Sequence, residues 1–203
     1  MAKHPLRFWI PTLLLLVTGA NSQSDVLLKP EPHAVVEELH LRLLESMQRF
    51  EKSSLQVRFE NLAPTIKLVF DFETIARIVC GRSWQEMDQS KKTEFIELFQ
   101  KLSTATYARN FSSYEGESFK TLEVKIESSR AIVKTELLRN SGNNIALTYM
   151  LREKLGRWQI INVISQGVSD LSLKRSEYDS IIKSKGLDAL IEGLEEQLSK
   201  HGL

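Results

Sequence analysis

The sequence predicts an α+β domain in which about six helices cover a four-stranded, or slightly larger, antiparallel sheet. Apolar and polar residues alternate through 118–165, which is typical of strands with one buried face. Before and after that region, apolar residues recur every three or four positions, as they do on one face of a helix. We therefore predict helices over 33–114, a sheet over 118–165 and C-terminal helices over 168–201.

Residues 1–22 have the composition of a secretory signal peptide: a basic start, an apolar run over 8–17 and small residues before a polar stretch. The apolar run is shorter than a comfortable membrane span, which makes an uncleaved anchor helix the weaker alternative. Cleavage after Ala20 and cleavage after Ser22 fit equally well. The expected product is a soluble periplasmic protein formed by a single domain, residues 23–203.

The composition is that of a globular protein, with 42% hydrophobic and 26% charged residues. Without Lys3 and Arg7, 25 basic residues face 26 acidic ones, a balance that argues against a nucleic-acid partner. Cys80 is the single cysteine, so no internal disulfide can form. The exported protein is therefore expected to depend on its core alone.

The first half of the chain is predicted to be helical cover. A long amphipathic helix is expected over 35–50, and Ser54 is placed to cap the next segment. Pro64 should begin a separate helical piece, because proline suits the first turn of a helix. Asp71 is placed to cap the following helix, and Gly81 to end it in a left-handed conformation.

A second long helix is predicted from about Ser90. Its apolar stripe is rich in aromatic side chains: Phe95, Leu98, Phe99, Leu102, Tyr107, Phe111 and Tyr114.

Four strands are then expected, joined by short turns at Ser128-Ser129, 141–143 and Leu155-Gly156, which indicates an antiparallel meander. In the fourth strand, Trp158, Ile160 and Ile164 are predicted on one face and Ile161 and Val163 on the other. Because both faces are apolar, part of the second face should also be covered. Helices over about 174–184 and 187–200 are available for this.

Residue types that carry catalysis or bind metals are sparse. His33, His40 and His201 have no acidic or cysteine partner at ligand spacing, so neither a metal site nor a catalytic triad is predicted. His33 and His40 are interpreted as surface or helix-face residues. Ser180 and Lys183 match a Ser-x-x-Lys pattern, but its companion motifs are absent. Cys80 is interpreted as a buried small hydrophobe.

The remaining signal is apolar surface on two long helices and on a sheet. These surfaces can pack together as a filled core, or they can leave a cavity of roughly 300–1,000 Å³ for a ligand. Periodicity does not distinguish the two arrangements.

Several segments together resemble the bacterial MlaC family, also called the toluene-tolerance family. They are Phe72–Trp84, Tyr107–Phe119, Gly156–Val163 and Gly167–Ser169, in the family's order. The resemblance covers about residues 35–198. The continuation from Gly167 to Tyr178 is most similar to the hopanoid-associated branch called HpnM. Asn162 stands where the family commonly has Asp.

The resemblance implies a nuclear-transport-factor-like fold with an apolar cavity between sheet and helices. It also implies a periplasmic, cofactor-free lipid carrier that shuttles a hopanoid or phospholipid between inner- and outer-membrane transport components. We expect a monomer without metal or nucleic acid. The candidate lipid-binding residues are Ile66, Phe70, Phe99, Leu102, Tyr107, Val133, Leu147, Tyr149 and Trp158.

Two alternatives from other classes remain open. One is an enzyme of the isomerase or dehydratase type on the same fold, which requires a carboxylate or histidine inside the cavity. The other is an adaptor subunit of a membrane transport complex, for which a filled core and a large exposed apolar patch are expected.

Overall fold

The computed structural model describes residues 31–140 and 142–203. The predicted signal peptide lies outside these residues, as does Ser141 of the predicted turn. The helices are α1 (Pro32–Arg49), α2 (Leu55–Val69), α3 (Phe72–Cys80), α4 (Ser83–Glu86), α5 (Gln89–Asn110), α6 (Asp170–Lys185) and α7 (Leu187–Lys200). The strands are β1 (Ser118–Glu127), β2 (Arg130–Leu138), β3 (Ile145–Lys154), β4 (Arg157–Ser165) and β5 (Val168–Ser169).

The predicted α+β architecture is confirmed. The five strands form one antiparallel sheet in the order β1-β2-β3-β4-β5, so each strand pairs with its neighbours in the chain. The short strand β5 extends the predicted four. It follows a tight turn in which Gln166 and Gly167 both have positive φ, at 49° and 83°. Two positive φ angles match the right-handed twist of the flanking strands.

The predicted side-chain faces of β4 are wrong beyond Ile160. Leu151 pairs with Ile160, but Met150 pairs with Asn162, so Ile161 is an extra residue that forms a bulge. The bulge reverses the alternation, and Val163, opposite Tyr149, shares the helix-facing side with Ile160.

Side-chain oxygens cap the helices at several predicted positions. Ser54 accepts a hydrogen bond from the backbone N–H of Val57, and Asp71 accepts one from that of Thr74 at 3.0 Å. Gly81 ends α3 with a φ of 57°, as predicted. Pro64, however, lies inside the continuous helix α2 and does not begin a new one. Leu62, Ile66 and other residues on both sides of Pro64 are buried, which holds α2 together through the proline.

The core lies between the helices and the inner face of the sheet. Side chains that are fully buried there include Val36, Leu39, Leu62, Ile66, Val133 and Ile160. The link between α2 and α3 is fixed to the sheet edge, because Phe70 forms a parallel bridge with Ile160. The N–H of Asp71 donates to the Ile160 carbonyl at 3.0 Å. This contact places Phe70 and Phe72 beside β4.

Helices α6 and α7 complete the helical layer. Helix α6 packs on α3, α7 and β4, and α7 packs on α5. Helix α6 begins four residues earlier than the predicted start near Lys174, because Ser169 caps it by accepting from the N–H of Ser172. Within the described part of the chain, no helix combines the length and apolarity needed to cross a bilayer.

Candidate functional site

A first cavity of about 300 Å³ lies between α3, α5, α6, α7 and β4. The aromatic stripe predicted on α5 supplies one wall, and the α2–α3 link supplies another. Asn162, Asp170, Lys174, Gln197 and His201 add polar groups. Its apolar lining includes Phe70, Phe72, Phe99, Leu102, Leu171 and Tyr178.

A second and more open cleft, of about 600 Å³, lies between α5, the C-terminal end of α1 and strands β2 to β4. Its apolar lining includes Met47, Phe111, Leu137, Leu147, Tyr149 and Leu173. Thr106, Tyr107, Val163 and Asp170 line both spaces. The cavity and the cleft therefore adjoin each other on either side of Tyr107.

Six of the nine predicted lipid-binding residues line these spaces. Phe70, Phe99 and Leu102 line the first cavity, Leu147 and Tyr149 line the cleft, and Tyr107 lines both. The other three line neither space and are buried in the packed core: Ile66, Val133 and Trp158.

Tyr149, which lines the cleft, forms a buried polar pair with His40. The His40 Nε2 atom lies 3.0 Å from the Tyr149 hydroxyl, and its ring stacks on Phe119 with centroids 3.8 Å apart. Burial lowers the pKa of His40 from 6.5 to about 4, so the ring is neutral at pH 7. The interpretation of His40 as a satisfied helix-face histidine is correct, but the residue is buried and not on the surface.

The junction between the two spaces carries two ionisable groups, Tyr107 and Asp170. Burial raises the pKa of Tyr107, and the nearby Asp170 carboxylate adds to this effect. Burial also raises the pKa of Asp170, while the Lys174 ammonium opposes the shift. The walls of the site are therefore not purely apolar.

The described residues contain no group of three histidine, cysteine or acidic side chains that could hold a metal ion. Cys80 is buried, and burial raises the pKa of its thiol to about 12, so the nucleophilic thiolate is scarce at neutral pH. This agrees with the interpretation of Cys80 as a small core residue.

Comparison with known proteins identifies the family. The sequence profile of the MlaC protein family matches residues 36–196, which is most of the chain. The chain belongs to the MlaC family. A solved structure similar to this MlaC family member is that of a phospholipid-binding protein from Ralstonia solanacearum, in complex with a phospholipid. The two chains share 18% identity and superpose with a TM-score of 0.76, covering 85% of this chain and 99% of the other.

Asn162 organises the start of α6. Its Oδ1 atom accepts hydrogen bonds from the Ser169 hydroxyl at 3.1 Å and from the N–H of Leu171 at 3.3 Å. An amide keeps these two bonds and carries no negative charge toward the positive end of the helix.

Asp170, Leu171 and Val163 line these spaces but are not among the residues predicted from the sequence. Alternation along β4 predicts the wrong face for Val163, because the bulge at Ile161 has no clear sequence signal. Asp170 directly follows the Gly167–Ser169 motif, at the point where the strand period gives way to the helix period. This change of period is the sequence feature that indicates a residue at the end of the sheet.

Proposed function

We propose that this protein is a lipid carrier that shields the apolar part of a membrane lipid in the cavity and the adjoining cleft. The observation that carries the proposal is the pair of adjoining spaces on either side of Tyr107, lined mainly by aromatic and aliphatic side chains. Membership of the MlaC family and the fold shared with a phospholipid-binding protein support it.

The energetics favour such a site without a cofactor. Each CH₂ group gains about 0.8 kcal/mol when it leaves water for an apolar environment. A hydrocarbon chain therefore binds through its length, and a few polar groups suffice to orient it.

The lining residues that we assign to lipid contact are the six that face the two spaces: Phe70, Phe99, Leu102, Tyr107, Leu147 and Tyr149. We add Val163 and Leu171 to them. Ile66, Val133 and Trp158 are assigned to the core, where they support the walls from behind.

The finer parts of the proposal concern ligand and context. The ligand is a hopanoid or a phospholipid, and the similarity of Gly167–Tyr178 to the HpnM branch favours the hopanoid. The protein acts in the periplasm after removal of residues 1–22, and it shuttles lipid between inner- and outer-membrane transport components as a monomer.

Catalysis is not proposed. Asp170, Lys174 and His201 all line the first cavity and are the ionisable groups that an enzyme would use there. A proton relay requires hydrogen bonds between such groups. Among the described residues, no hydrogen bond joins any two of these three side chains. Open spaces beneath the helices also differ from the filled core that we expect of an adaptor.

The proposal is tested by loading the purified protein from phospholipid and hopanoid vesicles and measuring the bound lipid by mass spectrometry. Leu147→Arg places a cation in the cleft, and we expect it to reduce lipid uptake by more than about tenfold. Leu155→Arg is the matched control, because Leu155 is 95% exposed in the β3–β4 turn and lines neither the first cavity nor the cleft. Equal uptake by the wild type and a folded Leu147→Arg variant would contradict the assignment of the cleft.

A further inference from the structure

The residues that line both spaces include one charged side chain, that of Asp170. Asp170 is the first residue of α6, and it lines the cavity and the cleft together with Thr106, Tyr107 and Val163. A lipid whose apolar part fills either space therefore lies beside this carboxylate.

Among the described residues, the Asp170 carboxylate interacts with Lys174 through electrostatics alone. Within residues 31–140 and 142–203, no hydrogen bond or ion pair reaches its side chain. Lys174, one turn further along α6, directs its ammonium to Glu177 at 3.1 Å and over the ring of Tyr178 at 5.6 Å. The carboxylate oxygens of Asp170 are thus open to a donor that a ligand supplies.

We propose that Asp170 selects lipids whose polar end carries hydrogen-bond donors, an ammonium or hydroxyl groups, and discriminates against lipids whose polar end is a bare anion. This inference rests on the proposed function. An ammonium or hydroxyl beside Asp170 forms a charge-assisted hydrogen bond, which is stronger than a bond between neutral groups. An anion at the same place is repelled by the like charge of the carboxylate.

A purely structural role for Asp170 makes a different prediction. A carboxylate in the first turn of a helix stabilises the helix by interacting with its positive end, whatever ligand is bound. Asp188, the second residue of α7, also lies in the first turn of its helix, pairs with Lys91 on α5 and lines neither space. Asp188→Asn is therefore a matched control that removes the same charge from the first turn of a neighbouring helix.

The test measures the affinity of three probes with the same chain: dodecylamine, dodecanol and dodecanoate. Each competes with a neutral fluorescent dye for the wild type, Asp170→Asn and Asp188→Asn at pH 7. We expect the wild type to prefer the amine to the carboxylate by about tenfold or more, with the alcohol between them. Asp170→Asn should bring the amine and the carboxylate within about threefold, while Asp188→Asn keeps the wild-type order.

Three results overturn the inference and leave the carrier function standing: equal affinities of the wild type for all three probes, an unchanged order in Asp170→Asn, or tighter binding of dodecanoate. The last of these assigns the polar end to Lys174. Failure of all three probes to bind the wild type, together with no lipid uptake from vesicles, overturns the carrier function itself.

Discussion

At the scale of single residues, His40 shows how a polar side chain is accommodated in an apolar layer. Phe119 stacks on the face of its ring, and the Tyr149 hydroxyl lies at hydrogen-bond distance from Nε2. Both contacts suit the neutral form of the ring. Protonation would place an uncompensated charge in the core, which is why the pKa falls to about 4.

This makes stability sensitive to mild acid. The folded pKa of His40 is below its ordinary value of 6.5, so the unfolded chain binds the proton first as pH falls. The free energy of unfolding should therefore fall between pH 6.5 and 4, by about 3 kcal/mol in full. Urea titrations at several pH values measure it. His40→Phe should lack this part of the pH dependence, and an identical pH profile in both proteins would contradict the assignment.

The β3–β4 turn places Leu155 in a backbone conformation that leucine does not favour. Its φ of 53° is in the left-handed region, where a leucine is strained, and its side chain is 95% exposed and buries nothing. Asparagine tolerates this conformation and commonly precedes glycine in such a turn.

Leu155→Asn should therefore stabilise the protein by about 1 kcal/mol, through relief of backbone strain. The measurement is the urea midpoint relative to the wild type. Leu155→Ala retains the strain and should leave the midpoint nearly unchanged. Equal midpoints for the asparagine and alanine variants would show that the turn is not strained by its side chain.

Residues whose contacts lie within a few positions along the chain can be predicted from the sequence. Ser54, Asp71 and Gly81 were predicted because each caps or ends a helix within three or four residues. Asp170 is not predicted as a lining residue, because the spaces that it lines are completed by α1 and α5, which are distant in sequence.

At the scale of elements, the passage from β4 through β5 to α6 forms one hydrogen-bonded unit. Asn162 on β4 accepts from the Ser169 hydroxyl and from the N–H of Leu171, and Ser169 in turn accepts from the N–H of Ser172. The start of α6, and with it Asp170 and Leu171, is thus held in place by the sheet.

Asn162→Ala removes the acceptor of both bonds and should destabilise the protein by about 1 kcal/mol, as the loss of a helix cap does. We expect faster hydrogen exchange in the first turns of α6, measured by mass spectrometry, with little change in α1. Asn162→Asp retains an acceptor and serves as the control. Unchanged exchange in α6 of the alanine variant would show that Asn162 does not hold this helix.

The elements themselves were largely predictable, because hydrophobic periodicity follows directly from one-sided burial. The exceptions have tertiary causes. Helix α2 continues through Pro64 because residues on both sides are buried, and the bulge at Ile161 reflects how β4 pairs with β3. Neither cause is visible in local sequence.

At the scale of the whole molecule, the helices do not pack against the sheet along its whole inner face. The first cavity and the cleft remain open around Tyr107, at about 300 and 600 Å³. The sequence identified the layers but not this gap, since a filled core and a lined cavity use the same apolar residue types.

Substitution of Thr106 can fill the gap without replacing a core residue. It is exposed, lines both spaces, and bonds to the carbonyl of Leu102 one turn earlier. Thr106→Trp should reduce lipid occupancy by about tenfold, which corresponds to the lost burial of about two CH₂ groups. Occupancy is measured by solvent extraction and mass spectrometry.

Thr93→Trp is the matched control, because Thr93 is exposed on the same helix, bonds to the carbonyl of Gln89 in the same way and lines neither space. Both variants should unfold at similar urea concentrations. Equal lipid occupancy in the two variants would place the lipid elsewhere.

The central claim is that the two spaces around Tyr107 hold a lipid, and native mass spectrometry of the gently purified wild-type protein tests it most directly. We predict a species heavier than the polypeptide by one lipid, which collisional activation releases as the bare chain. A spectrum of bare chain alone, unchanged after incubation with vesicles, would contradict the account.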